Sequence, residues 1–224
     1  MSTIAIVGAG TGLGVAVARR FGTEGFDIAL ISRNQNKLDQ LAAELTAEGL
    51  TARGYAANVR DAQALCAALE QASTDLGPIE VLQYSPIPQK EFLRPVLETT
   101  VEDLTAAVEF SIYGPVTAVH QVLDGMRSLG RGSILFVNGG SGARPNASVA
   151  GTSIAFAGEA AFARMLHDTL AAENIHVGQL IIPGAIEPGH PHNDPAILAG
   201  LLWDQHTTRG AFRTYAEELP PTGN

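Results

Sequence analysis

The chain has 224 residues, 46% of them hydrophobic and 17% charged, a composition that builds a core and excludes intrinsic disorder. Its 14 Lys and Arg against 23 Asp and Glu give a net charge of −9, which argues against nucleic-acid partners and anionic membrane surfaces, since both require basic stripes. A single cysteine, Cys66, excludes a disulfide scaffold or a cysteine-cluster metal site and fits a reducing compartment.

The apolar start Ile4–Val7 has no basic region before it and becomes glycine-rich at once, so it does not read as a signal peptide. No stretch is long and apolar enough for a membrane span. The expectation is a cytoplasmic protein. Strand and helix patterns then alternate. Thr3–Val7 is a short apolar run, and Leu13–Phe21 reads as a helix. Asp27–Ser32 is a second buried-type run; Leu38, Leu41, Ala42 and Leu45 recur at helical spacing until Gly49. Thr51–Ala56 predicts a third strand, Asp61 the cap of a helix carrying Leu65, Ala68 and Leu69, and Ile79–Tyr84 a fourth strand. Thr100 with Asp103 resembles a capping box for a long helix to about Leu129, with a break expected at Gly114-Pro115. Ser133–Asn138 is a fifth strand, Ser153–Glu173 a helix and His176–Ile182 a sixth strand. Asp194-Pro195 caps a last helix to about His206, and Ala211–Tyr215 fits a short seventh strand. Near-continuous apolar strands alternating with helices predict an α/β fold. The expected architecture is a single-domain, Rossmann-type doubly wound parallel sheet of about seven strands over residues 1–224, with helices on both faces.

The first strand runs into Gly8-Ala9-Gly10-Thr11-Gly12-Leu13-Gly14. Gly8 permits a tight turn, Gly12 lets the backbone approach a pyrophosphate, and Gly14 lets the next helix lie close to the sheet. The spacing Gly8-x-x-x-Gly12-x-Gly14 resembles the short-chain dehydrogenase/reductase family. In order behind it come Asn58-Val59, where the family has Asp-Val at the adenine, then Ser111 to Gly114 for Asn-x-x-Gly, Gly132-Ser133-Ile134, and Pro183-Gly184. The resemblance covers about residues 1–190 and implies a nicotinamide cofactor held by Gly8, Thr11, Gly12, Leu13, Gly14, Ser32, Arg33, Asn58, Val59, Ser85, Pro183 and Gly184, with residues 186–206 as a substrate-covering lid and helix. At the end of the second strand an acidic residue selects NAD, but this chain has Ser32-Arg33. A guanidinium grips a 2′-phosphate bidentately, so NADP(H) is favoured over NAD(H).

The family also implies Tyr-x-x-x-Lys on the helix after the fifth strand, where the tyrosine donates the proton and the lysine lowers its pKa, with a serine at that strand's end. Lys37 and Lys90 are the only lysines in the chain, and no tyrosine lies between Tyr113 and Tyr215. In one frame the tyrosine and lysine places hold Ala155 and Glu159, in another Phe156 and Ala160; the serine place holds Gly139, and the threonine that often follows Pro-Gly falls at Pro188. Substitute acids are Tyr84, Ser141, Glu159 and His190, each with a plainer reading: packing aromatic, solvated hydroxyl, helix-surface carboxylate, and polar lid. His190, His192 and Asp194 share a face without a fourth partner, too little for a metal site, and His120 and His167 read as surface or interface residues. Two functions stand side by side. One is an NADP(H)-dependent oxidoreductase acting on a small apolar carbonyl or alcohol with an atypical proton donor. The other is a catalytically inactive NADP(H)-binding protein with a redox-sensing or partner-binding role. The resemblance also implies a homodimer or homotetramer, paired through Ser111–Leu129 and Ser153–Glu173 by Val116, Val119, Val122, Ala157, Ala161 and Met165. The same stripes also read as sheet-facing core.

Overall fold

A computed structural model describes residues 2–219; Met1 and residues 220–224, the ends of the expected domain, lie outside the described residues. The elements run β1 (Thr3–Val7), α1 (Leu13–Thr23), β2 (Asp27–Ser32), α2 (Gln35–Ala47), β3 (Ala52–Ala56), α3 (Ala62–Leu76), β4 (Ile79–Tyr84), α4 (Val101–Val108), α5 (Gly114–Leu129), β5 (Gly132–Gly139), α6 (Ala150–Leu170), β6 (Ile175–Ile182), α7 (Pro195–Thr208) and β7 (Arg213–Tyr215). The strands form one seven-stranded sheet in the order β3-β2-β1-β4-β5-β6-β7, and every neighbouring pair is parallel. Parallel strands need helical crossovers, which cover both faces. One face packs Leu13, Val17, Phe21, Leu38, Leu45 and Leu202, from α1, α2 and α7. The other packs Leu65, Leu69, Ala107, Val119, Met126 and Ala163, from α3 to α6. The strand order reverses direction between β1 and β4, so the loops leaving these strands diverge and open a crevice at their C-terminal ends.

Local chemistry sets the helix starts. Asn34 Oδ1 accepts from Lys37 N at 3.1 Å and Asp61 Oδ1 from Ala64 N at 3.0 Å, each satisfying a first-turn N–H that has no helical partner. Thr100 and Asp103 form a reciprocal capping box with aspartate in the glutamate's place: Thr100 Oγ1 accepts from Asp103 N at 3.2 Å, and Thr100 N donates to Asp103 Oδ2 at 3.0 Å. Asp194 Oδ1 accepts from Ala196 N at 2.8 Å ahead of Pro195.

The expected break at Gly114-Pro115 is absent. The chain passes from α4 through a wide π turn, Glu109–Tyr113, straight into α5. Pro115 sits in the first turn of α5, where its missing N–H costs little. Helix α6 starts at Ala150, three residues before Ser153, and its helical path ends at Leu170 with one tighter turn to Glu173. His167 is not a surface residue: it is partly buried, with Nδ1 2.7 Å from the Val177 carbonyl oxygen and its ring against His176 and Phe212. Val119 and Val122 belong to the core, whereas Ala157, Ala161 and Met165 face outward with Tyr113 and Ile154. Among the described residues no helix is long and apolar enough to cross a membrane.

Candidate functional site

Two cavities open at the C-terminal edge of the sheet. The first, about 490 Å³, lies between the turn after β1 and the ends of β2 and β3. Of the residues the sequence singles out, Gly8, Thr11, Ser32, Arg33, Asn58 and Val59 line it. The glycines divide by role. Gly8 has φ +97°, and a Cβ on it would lie 2.5 Å from Pro86 N; one on Gly14 would lie 2.9 Å from Ala9 Cα. The fold itself therefore demands both, Gly8 because the chain leaving β4 crosses directly over it and Gly14 because α1 starts against its own turn. A Cβ on Gly10 or Gly12 would meet nothing within 4 Å. No contact within the fold requires those two to be small, so their bare backbone is free for close approach by a ligand. Gly12 is the N-cap of α1 and makes no side-chain cap bond; Val15 N turns back to the Gly10 carbonyl at 2.9 Å, so the N–H groups of Leu13 and Gly14 are the ones left to an outside acceptor. Ser85 continues the ladder from its N to the Val7 carbonyl at 2.9 Å and carries Pro86 over the turn.

Arg33 stands exposed at the far end of this cleft. With its amide oxygen toward the guanidinium, Gln89 accepts from Arg33 Nη1 at 3.1 Å and ties the mouth of the cleft to the loop after β4. Lys37, one helical turn on from Arg33, lines the same cleft, a second cation that the motif reading passed over. Its signal was present in the sequence: it is one of only two lysines, four residues from Arg33.

The second cavity, about 650 Å³, lies at the ends of β5 and β6; Gly139, Ser141, Arg144, Asn146, Pro183 and Gly184 are among its lining. This is where the substitute acids separate. Ser141 is on the cavity wall; its Oγ donates to Thr152 Oγ1 at 3.3 Å, and Thr152 donates to the Val149 carbonyl at 3.1 Å. Thr152, which neither alignment frame used, is thus the α6 side chain brought against Ser141. Tyr84 is 2% exposed, and its hydroxyl donates to the Phe110 carbonyl at 2.7 Å. Phe110 lies in the π turn, whose shifted ladder leaves a carbonyl in need of a donor. Burial, and Glu159 nearby, push the Tyr84 pKa well above the ordinary phenol value.

Glu159 is not on the helix surface: it is 2% exposed, and Oε1 accepts from Asn138 Nδ2 at 3.0 Å. Burial pushes its pKa up to about 8 against the pull of that hydrogen bond, so the carboxyl is largely protonated at neutral pH. The contact is the end of a buried seam in which Arg213 Nε donates to Gln179 Oε1 at 2.7 Å and Gln179 Nε2 to Asn138 Oδ1 at 2.7 Å. Ala155, Phe156 and Ala160, the other residues of the two frames, are buried beside it. His190 is an acceptor within its own loop, taking N–H bonds on Nδ1 from His192 at 3.2 Å and Asn193 at 2.9 Å, so its ring proton sits on Nε2. Asp194 is spent on Gly189 N at 2.7 Å and on the α7 cap. Asn193 Nδ2 holds the Pro183 carbonyl at 2.5 Å, fastening the segment before α7 to the end of β6.

These observations agree with comparisons to known proteins. A family model described as short chain dehydrogenase matches residues 2–195. The 2,3-dihydro-2,3-dihydroxybenzoate dehydrogenase of Bacillus subtilis is 31% identical over 222 residues, covering 96% of this chain and 80% of that protein. Three further curated relatives are longer, and the chain spans between 49% and 66% of them. A short-chain dehydrogenase from Rhodopseudomonas palustris superposes with a TM-score of 0.85 at 27% identity, covering 98% of both chains. An actinorhodin polyketide ketoreductase solved with NADPH gives a TM-score of 0.76 at 27% identity, over 83% of this chain and 71% of that one. The all-parallel sheet, the glycine turn at its switch point and the family match over most of the length lead to one conclusion: the chain belongs to the short chain dehydrogenase family.

Proposed function

We propose that the protein is an NADP(H)-binding oxidoreductase acting on a small apolar carbonyl or alcohol without the tyrosine–lysine pair usual in its family. The observation that carries the cofactor reading is the first cavity, where the backbone at Gly10 and Gly12 is open to close approach and Arg33 and Lys37 supply positive charge at the other end. The donor set suits an anionic dinucleotide: bare backbone and an uncapped helix start for the pyrophosphate, two cations for a 2′-phosphate. Asn58 and Val59 would flank the adenine, and Pro183 and Gly184 the nicotinamide end. When bound, the cofactor supplies or accepts a hydride. What the chain's own residues supply beside it is Ser141, on the wall of the second cavity, and the residues of 186–206 that precede α7, which would cover a substrate while α7 itself packs against α1. Tyr84 and Glu159 hold their protons inside the core and orient nothing in either cavity.

That enclosure favours a second reading, a catalytically inactive NADP(H)-binding protein whose occupancy serves redox sensing or a partner. Pairing of two copies through α5 and α6 is part of either reading, supported by the outward Tyr113, Ile154 and Met165. Fluorescence titration with NADPH and NADH tests the cofactor assignment. Arg33→Ala is expected to weaken NADPH by about 1.5–3 kcal/mol, the worth of a charge-assisted hydrogen bond, and to leave NADH nearly unchanged. Equal losses for both would refute it. NADPH binding without consumption of any aldehyde, ketone or quinone would select the inactive reading.

A further inference from the structure

We propose that the cavity at the ends of β5 and β6 accepts a quinone-type carbonyl, whose two-electron reduction leaves a delocalised phenolate, in preference to an isolated ketone or aldehyde. The inference rests on the NADP(H) reading above and names the substrate class for that same site.

It starts from which protons the protein can deliver. Among the described residues, the cavity wall carries no phenol, ammonium, imidazole or carboxyl group; its side-chain hydroxyl is Ser141, its amide Asn146, and its cation Arg144, already engaged within the protein. The candidate acids are not on this wall: the Tyr84 proton lies on the Phe110 carbonyl, that of Glu159 in the buried seam with Asn138, and His190 is held in the loop before α7, accepting on Nδ1 from His192 N and Asn193 N. Hydride addition to an isolated carbonyl forms an alkoxide, whose conjugate acid is about as weak an acid as water. Such an anion needs a proton from a placed acid as it forms, and a missing general acid typically costs about 10²–10⁴ in rate. Hydride addition to a quinone forms a hydroquinone monoanion, whose conjugate acid is a phenol of pKa about 10. That anion is about five to six orders of magnitude less basic. It persists without a protein acid and takes its proton from water afterwards. The balance closes: one hydride and one solvent proton are added to the quinone, and one nicotinamide cofactor is oxidised.

The wall also has the right relief. Gly139, Gly140 and Gly184 present backbone without side chains, and Pro145 and Pro183 present short apolar rings, on a cavity of about 650 Å³. A planar ring lies against such a surface, and the polar groups facing its oxygens are Asn146 and, once its hydroxyl turns from the long 3.3 Å bond to Thr152, Ser141.

The test has a catalytic and a binding arm. In the first, NADPH occupancy is established by fluorescence, and its oxidation is followed with tetramethyl-para-benzoquinone, fully substituted so that Cys66 cannot add to it, and with cyclohexanone. The quinone is expected to turn over at least about 100-fold faster, with a rate nearly level from about pH 6 to about pH 9, because no protein acid titrates in the step. Comparable rates, a faster ketone, or no turnover of the quinone by NADPH-loaded protein would overturn the proposal. In the second arm, para-nitrophenol is titrated into the protein without cofactor and its absorbance read. The phenolate form is expected to bind, lowering the apparent pKa of the bound phenol by about one unit, about tenfold in affinity, an effect reduced in Ser141→Ala. Absence of phenolate binding, or binding of the neutral phenol alone, counts against the cavity whatever the cofactor does. Failure to bind NADPH strikes the cofactor reading instead, and is seen separately from either result.

Discussion

Replacing Glu159 with glutamine is expected to stabilise the protein in a way that grows with pH. The carboxyl is buried, meets Asn138 Nδ2 at 3.0 Å, and has its folded-state pKa raised from 4.5 to about 8. Below pH 4.5 it is protonated in both the folded and the unfolded chain and has no effect on the balance. Between 4.5 and about 8 the unfolded chain releases this proton while the folded one keeps it, so folding loses about 1.36 kcal/mol per pH unit. At pH 7 the accumulated loss is about 3 kcal/mol, and it levels off near 5 kcal/mol once the folded group ionises too. Glutamine has the same shape, keeps an oxygen for Asn138 and never ionises. The variant and the parent are thus expected to have similar stability at about pH 5 and to differ by about 3 kcal/mol at pH 7. For a chain of this size that difference corresponds to a Tm gap of about 6–12 °C. Urea unfolding at several pH values measures it directly, and taking the difference between the two proteins cancels every other titrating group. Stability curves that run parallel across this range would show that Glu159 is ionised in the fold, and the account of the buried seam would fail with it.

Other substitutions probe the remaining parts of the argument. Tyr84→Phe leaves the Phe110 carbonyl without its donor and is expected to cost about 1–3 kcal/mol in urea unfolding; no loss would mean that the π turn satisfies that carbonyl itself. Gly8→Ala, at φ +97° and against the Pro86 backbone, is expected to cost more than about 3 kcal/mol. Gly10→Ala, with open space around it, is expected to change stability by less than about 1 kcal/mol while weakening NADPH at least tenfold; a Gly10 variant that binds NADPH normally would remove the pyrophosphate from this turn. Light scattering at micromolar concentration is expected to give a dimer or tetramer mass, reduced by Met165→Glu on the outer face of α6; a monomeric mass for the unmodified chain would refute the pairing.

The fold was legible because its signals are local and repeated. Apolar runs in β1, β2, β4 and β6 are buried from end to end, and Asn34, Asp61, Thr100 and Asp194 stand where first-turn N–H groups need acceptors. The π turn was not legible: shifting a helical ladder by one residue leaves no mark in side-chain spacing, and Gly114-Pro115 suggested a break where the chain runs on. Glu159 could have been found. It lies on the same stripe as Thr152, Ala155, Phe156 and Ala163, all buried, and a helical pattern assigns it to the core; its charge at neutral pH in water is what pointed outward. Thr152 escaped because the family pattern fixes attention on a tyrosine and lysine four residues apart, whereas its contact with Ser141 depends on how the loop after β5 folds back onto α6.

The two halves of the site respond so differently to sequence change because different physics holds each. In the nucleotide half the backbone does most of the work, and Gly8 and Gly14 cannot change without disturbing the crossing of the β4 loop or the start of α1. Stability therefore preserves Gly8 and Gly14 whether or not a ligand is bound. In the reaction half a tyrosine and a lysine would be held for chemistry alone, and a lysine facing the core must be kept charged against desolvation. Here α6 instead turns alanine, phenylalanine and a protonated glutamate inward, closed by Asn138 and Gln179. An acid stripped of its charge by burial needs no counter-ion, so the seam is neutral along α6 and reaches a cation only at Arg213. Restoring a charged lysine beside that seam would put an ammonium next to a carboxyl already held neutral, and the pair would settle by ionising Glu159. Any attempt to rebuild the family's proton donor in this chain therefore has to change Glu159 at the same time, since the lysine would otherwise spend its charge on that carboxylate and leave the tyrosine with the raised pKa of a buried phenol.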